Sequence, residues 1–168
     1  ATRRWGKTTF GVIRWIKKGM ETAEQLYWWI APIYRQCHKP YRMLLSQFKY
    51  LESKGARILD KAKCSKQFMR IALWNGTMFE FRSSDRPDNL KGEGLNDVVL
   101  DEAWTIPEMV WIESIRPALA DTAGTGLFIG TPKSKSSWMY KVDNMGYDDI
   151  LVKSGQYRSW HFPASKAS

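Results

Sequence analysis

The stretch VVLDEAW (Val98-Val99-Leu100-Asp101-Glu102-Ala103-Trp104) decides the fold. Its apolar half, with Asn96 and Asp97 ahead of it, reads as a strand buried on both faces, as in a parallel sheet. Its two carboxylates emerge at the C-terminal edge of that strand, where open α/β sheets bind ligands. The plain alternative is an acidic cap opening the next helix. The chemical reading gives Asp101 to a Mg²⁺ shell and Glu102 to the orientation and deprotonation of an attacking water.

Working outward to the start of the chain, ATRRWGKTT contains Gly6-Lys7-Thr8, followed by a stretch with helical spacing. A loop leading into a helix N-terminus presents backbone N–H groups to an anion. Lys7 is placed to reach the β- and γ-phosphates of a nucleotide, the Thr8 hydroxyl to hold Mg²⁺, and Gly6 and Thr9 to complete the cradle. The standard pattern has a glycine five residues before Gly6, where Ala1 stands. GKT alone is weak evidence. Paired with Asp101-Glu102 on a later strand, in the right order, it points to a phosphate-binding NTPase. A third element, LFIGTPK (127–133), is a short strand ending in a polar turn on the same sheet edge. Thr131 there is suited to sense the γ-phosphate, although strands also end in such turns for no catalytic reason.

The remaining chain is expected to alternate strands and helices. Helices are expected over 9–18, with Phe10, Ile13 and Lys17 on one side, and over 35–54, 107–119 and 138–145. Strands are expected over 25–33, 56–63, 68–73, 77–81, 96–100, 126–129 and 157–162. Asn75-Gly76 joins the third and fourth of these as a hairpin. The fold class is therefore α/β: a P-loop NTPase of the RecA/ASCE-like kind, with a mostly parallel sheet flanked by helices. The chain begins at the phosphate loop, so the sheet is expected to lack its first strand. Residues 1–162 are read as one ATPase domain and 163–168 as the start of a linker.

The chain's 168 residues are 43% hydrophobic and 14% aromatic, which argues for a folded domain. Net charge is +9, unevenly spread: residues 1–90 carry 18 Lys/Arg against 7 Asp/Glu, and residues 91–168 carry 8 against 10. A basic front half suits a polyanionic partner, or simply a solvated face. Cys37 and Cys64 have no Cys-x-x-Cys spacing and only His38 and His161 as companions, so zinc is not expected. Free thiols suggest a reducing cytoplasm, and no apolar run reaches the length of a membrane span. The tryptophans, with Trp28 and Trp29 in a core strand, are expected to pack rather than to stack on bases.

The ordered set RRWGKTT, WWIAPIYRQC, SSDRPDNLKGEGLNDVVLDEAW, SIRPALAD and LFIGTPK resembles the ATPase domain of the tailed-phage terminase large subunit, a DNA-packaging motor. The resemblance implies ATP hydrolysis, with Mg²⁺, powering translocation of double-stranded viral DNA into a procapsid. Lys7 and Thr8 match the phosphate and Mg²⁺ ligands, and Asp101 and Glu102 the metal-shell and catalytic carboxylates. Gly130-Thr131-Pro132 matches the motif coupling hydrolysis to movement. Arg3 matches a loop arginine that some members direct at the γ-phosphate, and its planar donor fork suits transition-state charge. Arg4 is assigned to the same loop, facing nucleotide, solvent or DNA. Members also take an arginine from a neighbouring ring subunit; Arg82, Arg86 and Lys91 are the candidates here.

The implied partners are double-stranded DNA held by its backbone, the portal protein, the small terminase subunit and further copies in a ring. The implied location is the host cytoplasm, transiently at the procapsid portal vertex, with no membrane role. The family's nuclease domain has no counterpart in these residues, so DNA cleavage is not expected. Two alternatives stand beside this reading: a helicase-type ATPase, and a non-catalytic nucleotide- or DNA-binding piece of the motor.

Overall fold

Five short apolar runs become five strands. They are β1 (Leu26–Ala31), β2 (Arg70–Ala72), β3 (Met78–Ser83), β4 (Asp97–Asp101) and β5 (Thr125–Ile129), in the order β2-β3-β1-β4-β5. β3, β1, β4 and β5 run parallel, and β2 pairs antiparallel with β3 across the Asn75-Gly76 turn. This computed structural model describes residues 6–90 and 92–161, so the expected linker over 163–168 lies outside the described residues. The mixed sheet flanked by helices is the α/β fold expected from the sequence.

Alternation along the central strand sorts the core into two layers. Tyr27, Trp29 and Ala31 face α1 (Lys7–Glu21) and α2 (Tyr34–Ser53), together with Val99, Phe79 and Phe81. Trp28 and Ile30 face the other way, with Val98 and Leu100, onto the helical stretch 108–120. Trp15, Trp28 and Trp29 are fully buried, as expected, whereas Trp74 and Trp160 are exposed. A buried aromatic ring withdraws about 150–250 Å² from water, so the paired Trp15 and Trp29 rings, edge-on at 5.4 Å, anchor the helical layer on the sheet.

α1 turns a different face inward from the one its apolar residues suggest. Phe10 and Ile13 are more than half exposed, while Gly11, Val12, Trp15 and Gly19 are buried. Trp15 supplies the helix's own bulk in this layer, and Gly11 and Gly19 let the helix come close to the sheet. A Cβ on Gly11 would come within 2.7 Å of the Trp29 ring.

Three other expectations fail locally. Residues 56–63 form no strand: the backbone N–H groups of Lys63 and Cys64 both donate to the Asp60 carbonyl, closing a turn. Only single bridges, Leu59 to Leu73 and Ser65 to Arg70, reach the sheet. Residues 157–161 stay irregular, because Ser159 is tied to Gly146 and Asp143 beside α5 (Trp138–Met145). The expected helix 107–119 is split into α3 (Glu108–Val110), a π-helical turn (Trp111–Ile115) and α4 (Arg116–Ala120). Pro117 has no N–H for the Glu113 carbonyl, and the turn ahead of it widens. A short α6 (Asp149–Lys153) follows α5.

At the lower end of the sheet, Asp97 is completely buried. Its carboxylate accepts from Arg14 at 2.5 and 2.6 Å, Lys18 at 2.5 Å, Thr125 at 2.6 Å and the Trp15 indole at 3.0 Å. This clamp fastens α1 to β4 and β5. Removing one partner of a buried ion pair leaves the others uncompensated, at about 3–5 kcal/mol. Asp97→Ala should lose about that much in urea denaturation, and a loss under about 1 kcal/mol would show that the clamp contributes little.

Among the described residues β5 is at the edge of the sheet, and a groove of about 930 Å³ runs beside it past Phe10, Leu127 and Phe128. No described helix is long and apolar enough to cross a membrane.

Candidate active site

Gly6 occupies the position just before α1 with φ 72° and ψ 17°, a left-handed turn that glycine adopts without penalty. The Phe10 amide donates to the Gly6 carbonyl and closes the first turn. The amides of the first helical residues have no partner within the helix, and the first turn carries no acidic side chain. Lys7 and Thr8 sit there half-buried, and Thr9 is exposed.

Above this turn, β4 and β5 end side by side. Lys7 Nζ donates to Thr131 Oγ1, two residues past β5, at 3.0 Å, and lies 3.9 Å from Glu102 Oε1. Three segments far apart in the sequence thus converge on one amine. The Lys7 side chain is 15% exposed and that of Glu102 40%, so the carboxylate is reachable by water.

Asp101 closes β4, and its Oδ1 accepts from the Glu102 amide at 3.0 Å. Burial pushes the Asp101 carboxyl above the usual carboxylate range, and the neighbouring Glu102 adds to this. The Glu102 amide, the Trp29 indole and Lys7 act in the opposite direction. A bound cation would act in the opposite direction to burial. Glu102 itself has φ 50° and ψ 43° and opens the 3₁₀ turn Ala103–Thr105. The Thr105 amide and hydroxyl both donate to the Glu102 carbonyl, at 2.8 and 2.7 Å, and hold it there.

The arginines divide differently. Arg3, Arg4 and Lys91 lie outside the described residues. Arg86 is exposed. Arg82 is committed: it pairs with Glu80 at 2.5 Å, approaches Glu93 at 3.7 Å, donates to the Asn89 carbonyl and packs 3.7 Å from the Trp28 ring centre. Cys37 is enclosed, donates to the Arg82 carbonyl, and has its thiol pushed up to about 12, chiefly by burial. Neither Arg82 nor Cys37 is poised for chemistry.

Among the described residues no group of three or more His, Cys, Asp or Glu is placed to hold a metal ion. One half-buried carboxylate with a threonine hydroxyl is instead the kind of donor set that holds Mg²⁺ together with substrate phosphates.

Two curated proteins share 48% identity with this chain over 69 residues: the terminase large subunits of Thermus phage G20c and Thermus virus P23-45. The match spans 41% of this chain and 14% of each relative. The large-terminase ATPase domain of Thermus phage P74-26 superimposes with a TM-score of 0.78 at 26% identity, over 94% of this chain and 69% of that one. The chain is similar to the phage large terminases. The large terminase of another thermophilic bacteriophage, in its complex with ATP-γ-S, shares the fold at TM-score 0.61 with 15% identity, over 98% of this chain and 38% of that one. No family model matches the chain. Its five-stranded sheet flanked by helices is the architecture of the large-terminase ATPase domains.

Proposed function

We propose that this chain hydrolyses ATP and, within a phage DNA-packaging motor, couples that hydrolysis to movement of double-stranded DNA. The observation that carries the reading is the convergence of Lys7 with Glu102 and Thr131 at the mouth of a helix N-terminus. The P74-26 neighbour, named an ATPase domain, and the thermophilic phage terminase solved with ATP-γ-S support it.

The left-handed Gly6 turn and the α1 amides cradle the phosphates, and Lys7 adds a point charge near the β- and γ-phosphoryl groups. Asp101 and the Thr8 hydroxyl would hold Mg²⁺, which when bound would offset phosphate charge. When a triphosphate arrives, Lys7 exchanges Thr131 and Glu102 for phosphate oxygens. Glu102 then takes a proton from water as the water oxygen bonds to the γ-phosphorus. The bond to the β-phosphate bridging oxygen breaks, leaving ADP and phosphate. Arg3 is the residue proposed to supply a planar donor for the charge on the transferred group. Thr131, handed from lysine to nucleotide and back, reports the state of the site to the segment after β5.

DNA contact is assigned to α2 and the loop after it. Arg35, Lys39, Arg42 and Lys49 recur at helical spacing on the exposed side of α2, opposite buried Cys37, Tyr41, Leu44 and Phe48. Lys54, Arg57, Lys61, Lys63 and Lys66 follow, all exposed. The acids within this stretch are engaged: Glu52 accepts from the Leu59 amide, and Asp60 pairs with Lys63. From Arg35 to Lys49 the stripe runs about 21 Å. Contacts of this kind read backbone phosphate rather than sequence, as a motor that accepts any sequence requires. The triple change Lys39→Ala, Arg42→Ala, Lys49→Ala should weaken duplex binding at all sequences alike. It should also flatten the log–log salt dependence by about 3, measured by fluorescence anisotropy. An unchanged slope would remove the DNA from this face.

The overall reading is tested by phosphate release from Mg·ATP with and without linear duplex DNA. Stimulation by DNA is the expected result; strand separation would favour a helicase, and nucleotide binding without turnover under any condition a non-catalytic module. The portal protein, the small terminase subunit and a homo-oligomeric ring are the partners this function calls for, in the host cytoplasm at the portal vertex.

A further inference from the structure

Trp29 is fully enclosed, and its indole Nε1 meets no acceptor at hydrogen-bonding geometry. Buried donors are nearly always satisfied, so an exception calls for a reason. β1 and β4 run parallel with Trp29 opposite Val99, which puts Asp101 on the same face one step further along. The Asp101 carboxyl is close enough to sense the indole N–H, without the alignment of a formed bond. One Asp101 oxygen is already taken by the Glu102 amide. The ring has no freedom to turn away: Gly11 of α1 leaves it no room for even a Cβ, Trp15 stands edge-on at 5.4 Å, and Phe81 stacks at 6.3 Å.

We propose that Trp29 is a positioning residue for Asp101, its indole N–H donating to the carboxylate when cation and nucleotide are bound and so aiming the oxygens at the cation. The inference rests on the phosphate-site reading above. A small reorientation of the carboxyl completes a bond whose donor is already fixed in place. Partners of this kind behind a metal-holding side chain typically govern metal affinity by roughly 10–100-fold. The same ring packs on the first turns of the phosphate-loop helix, so one side chain supports both the carboxylate and the loop.

Trp29→Phe keeps the aromatic packing and deletes the N–H. Its affinity for ADP in the presence of Mg²⁺ should fall by roughly 10–100-fold, while ADP affinity in EDTA stays within about twofold. Equal Mg²⁺ dependence in variant and wild type would overturn the proposal. If wild type shows no Mg²⁺-dependent binding at all, the phosphate-site reading falls instead. A second arm needs no variant at position 29. In protein labelled with ¹⁵N-tryptophan, ADP with Mg²⁺ should move one of the nine indole N–H resonances far more than ADP in EDTA does, and Asp101→Asn should abolish that difference. No selective shift would show that Trp29 does not address Asp101.

Discussion

Glu102→Gln should lower ATP turnover by roughly 10²–10⁴-fold, the contribution of a positioned general base, while nucleotide affinity stays within about twofold. The amide has nearly the shape of the carboxylate and keeps the 3₁₀ turn, which is held through the backbone carbonyl of residue 102. What it loses is the ability to take the proton of the attacking water. Single-turnover kinetics separate this from a binding defect: the chemical step should slow and the dissociation constant should not move. A variant that hydrolyses ATP at the wild-type rate would show that the proton leaves by another route.

Lys7→Ala should act one step earlier. Hydrogen bonds to charged groups contribute about 1.5–3 kcal/mol, so loss of the amine should weaken ATP binding by about 10–100-fold. Turnover should vanish with it. Lys7 also holds Thr131 and faces Glu102. The alanine variant should therefore leave the segment after β5 unresponsive to nucleotide, which limited proteolysis can read. Lys7→Arg keeps the charge on a different geometry and should rescue binding only in part. Unchanged affinity in the alanine variant would end the phosphate-loop reading.

The architecture was legible where burial is two-sided. Val98–Leu100 and Tyr27–Ala31 are apolar throughout because helices cover both faces of the sheet, and their carboxylate and turn ends fell where expected. Asn75-Gly76 correctly announced the antiparallel pair. The pattern misled where bulk and contact part company. Phe10 and Ile13 share one side of α1, as expected, but that side is exposed, and the contact face joins Val12 and Trp15 to Gly11 and Gly19, which carry no hydrophobic signal. Residues 56–63 looked extended until the Asp60 turn intervened, and no local rule marked the π-helical turn before Pro117.

The candidate site was legible as types of residue in order, because phosphate chemistry demands an amine, a hydroxyl and paired carboxylates. What only three dimensions supply is who is occupied. Arg82 looked available as a finger and is bound up with Glu80, Glu93 and Trp28. Trp29 looked like core and holds an unsatisfied donor under Asp101. The cations of 35–66 are scattered along the chain, and only the helical phase of α2 gathers four of them into a stripe.

The backbone at position 102 carries a further consequence. Side chains with a Cβ adopt that left-handed conformation at a cost of order 1 kcal/mol, so the carboxylate is aimed by a locally unfavourable main chain. Glycine or asparagine would sit there more comfortably and leave the water unactivated. Robustness to heat and the proposed water activation therefore pull this one residue in opposite directions, and a variant chosen solely for endurance is expected to give up the proposed hydrolysis.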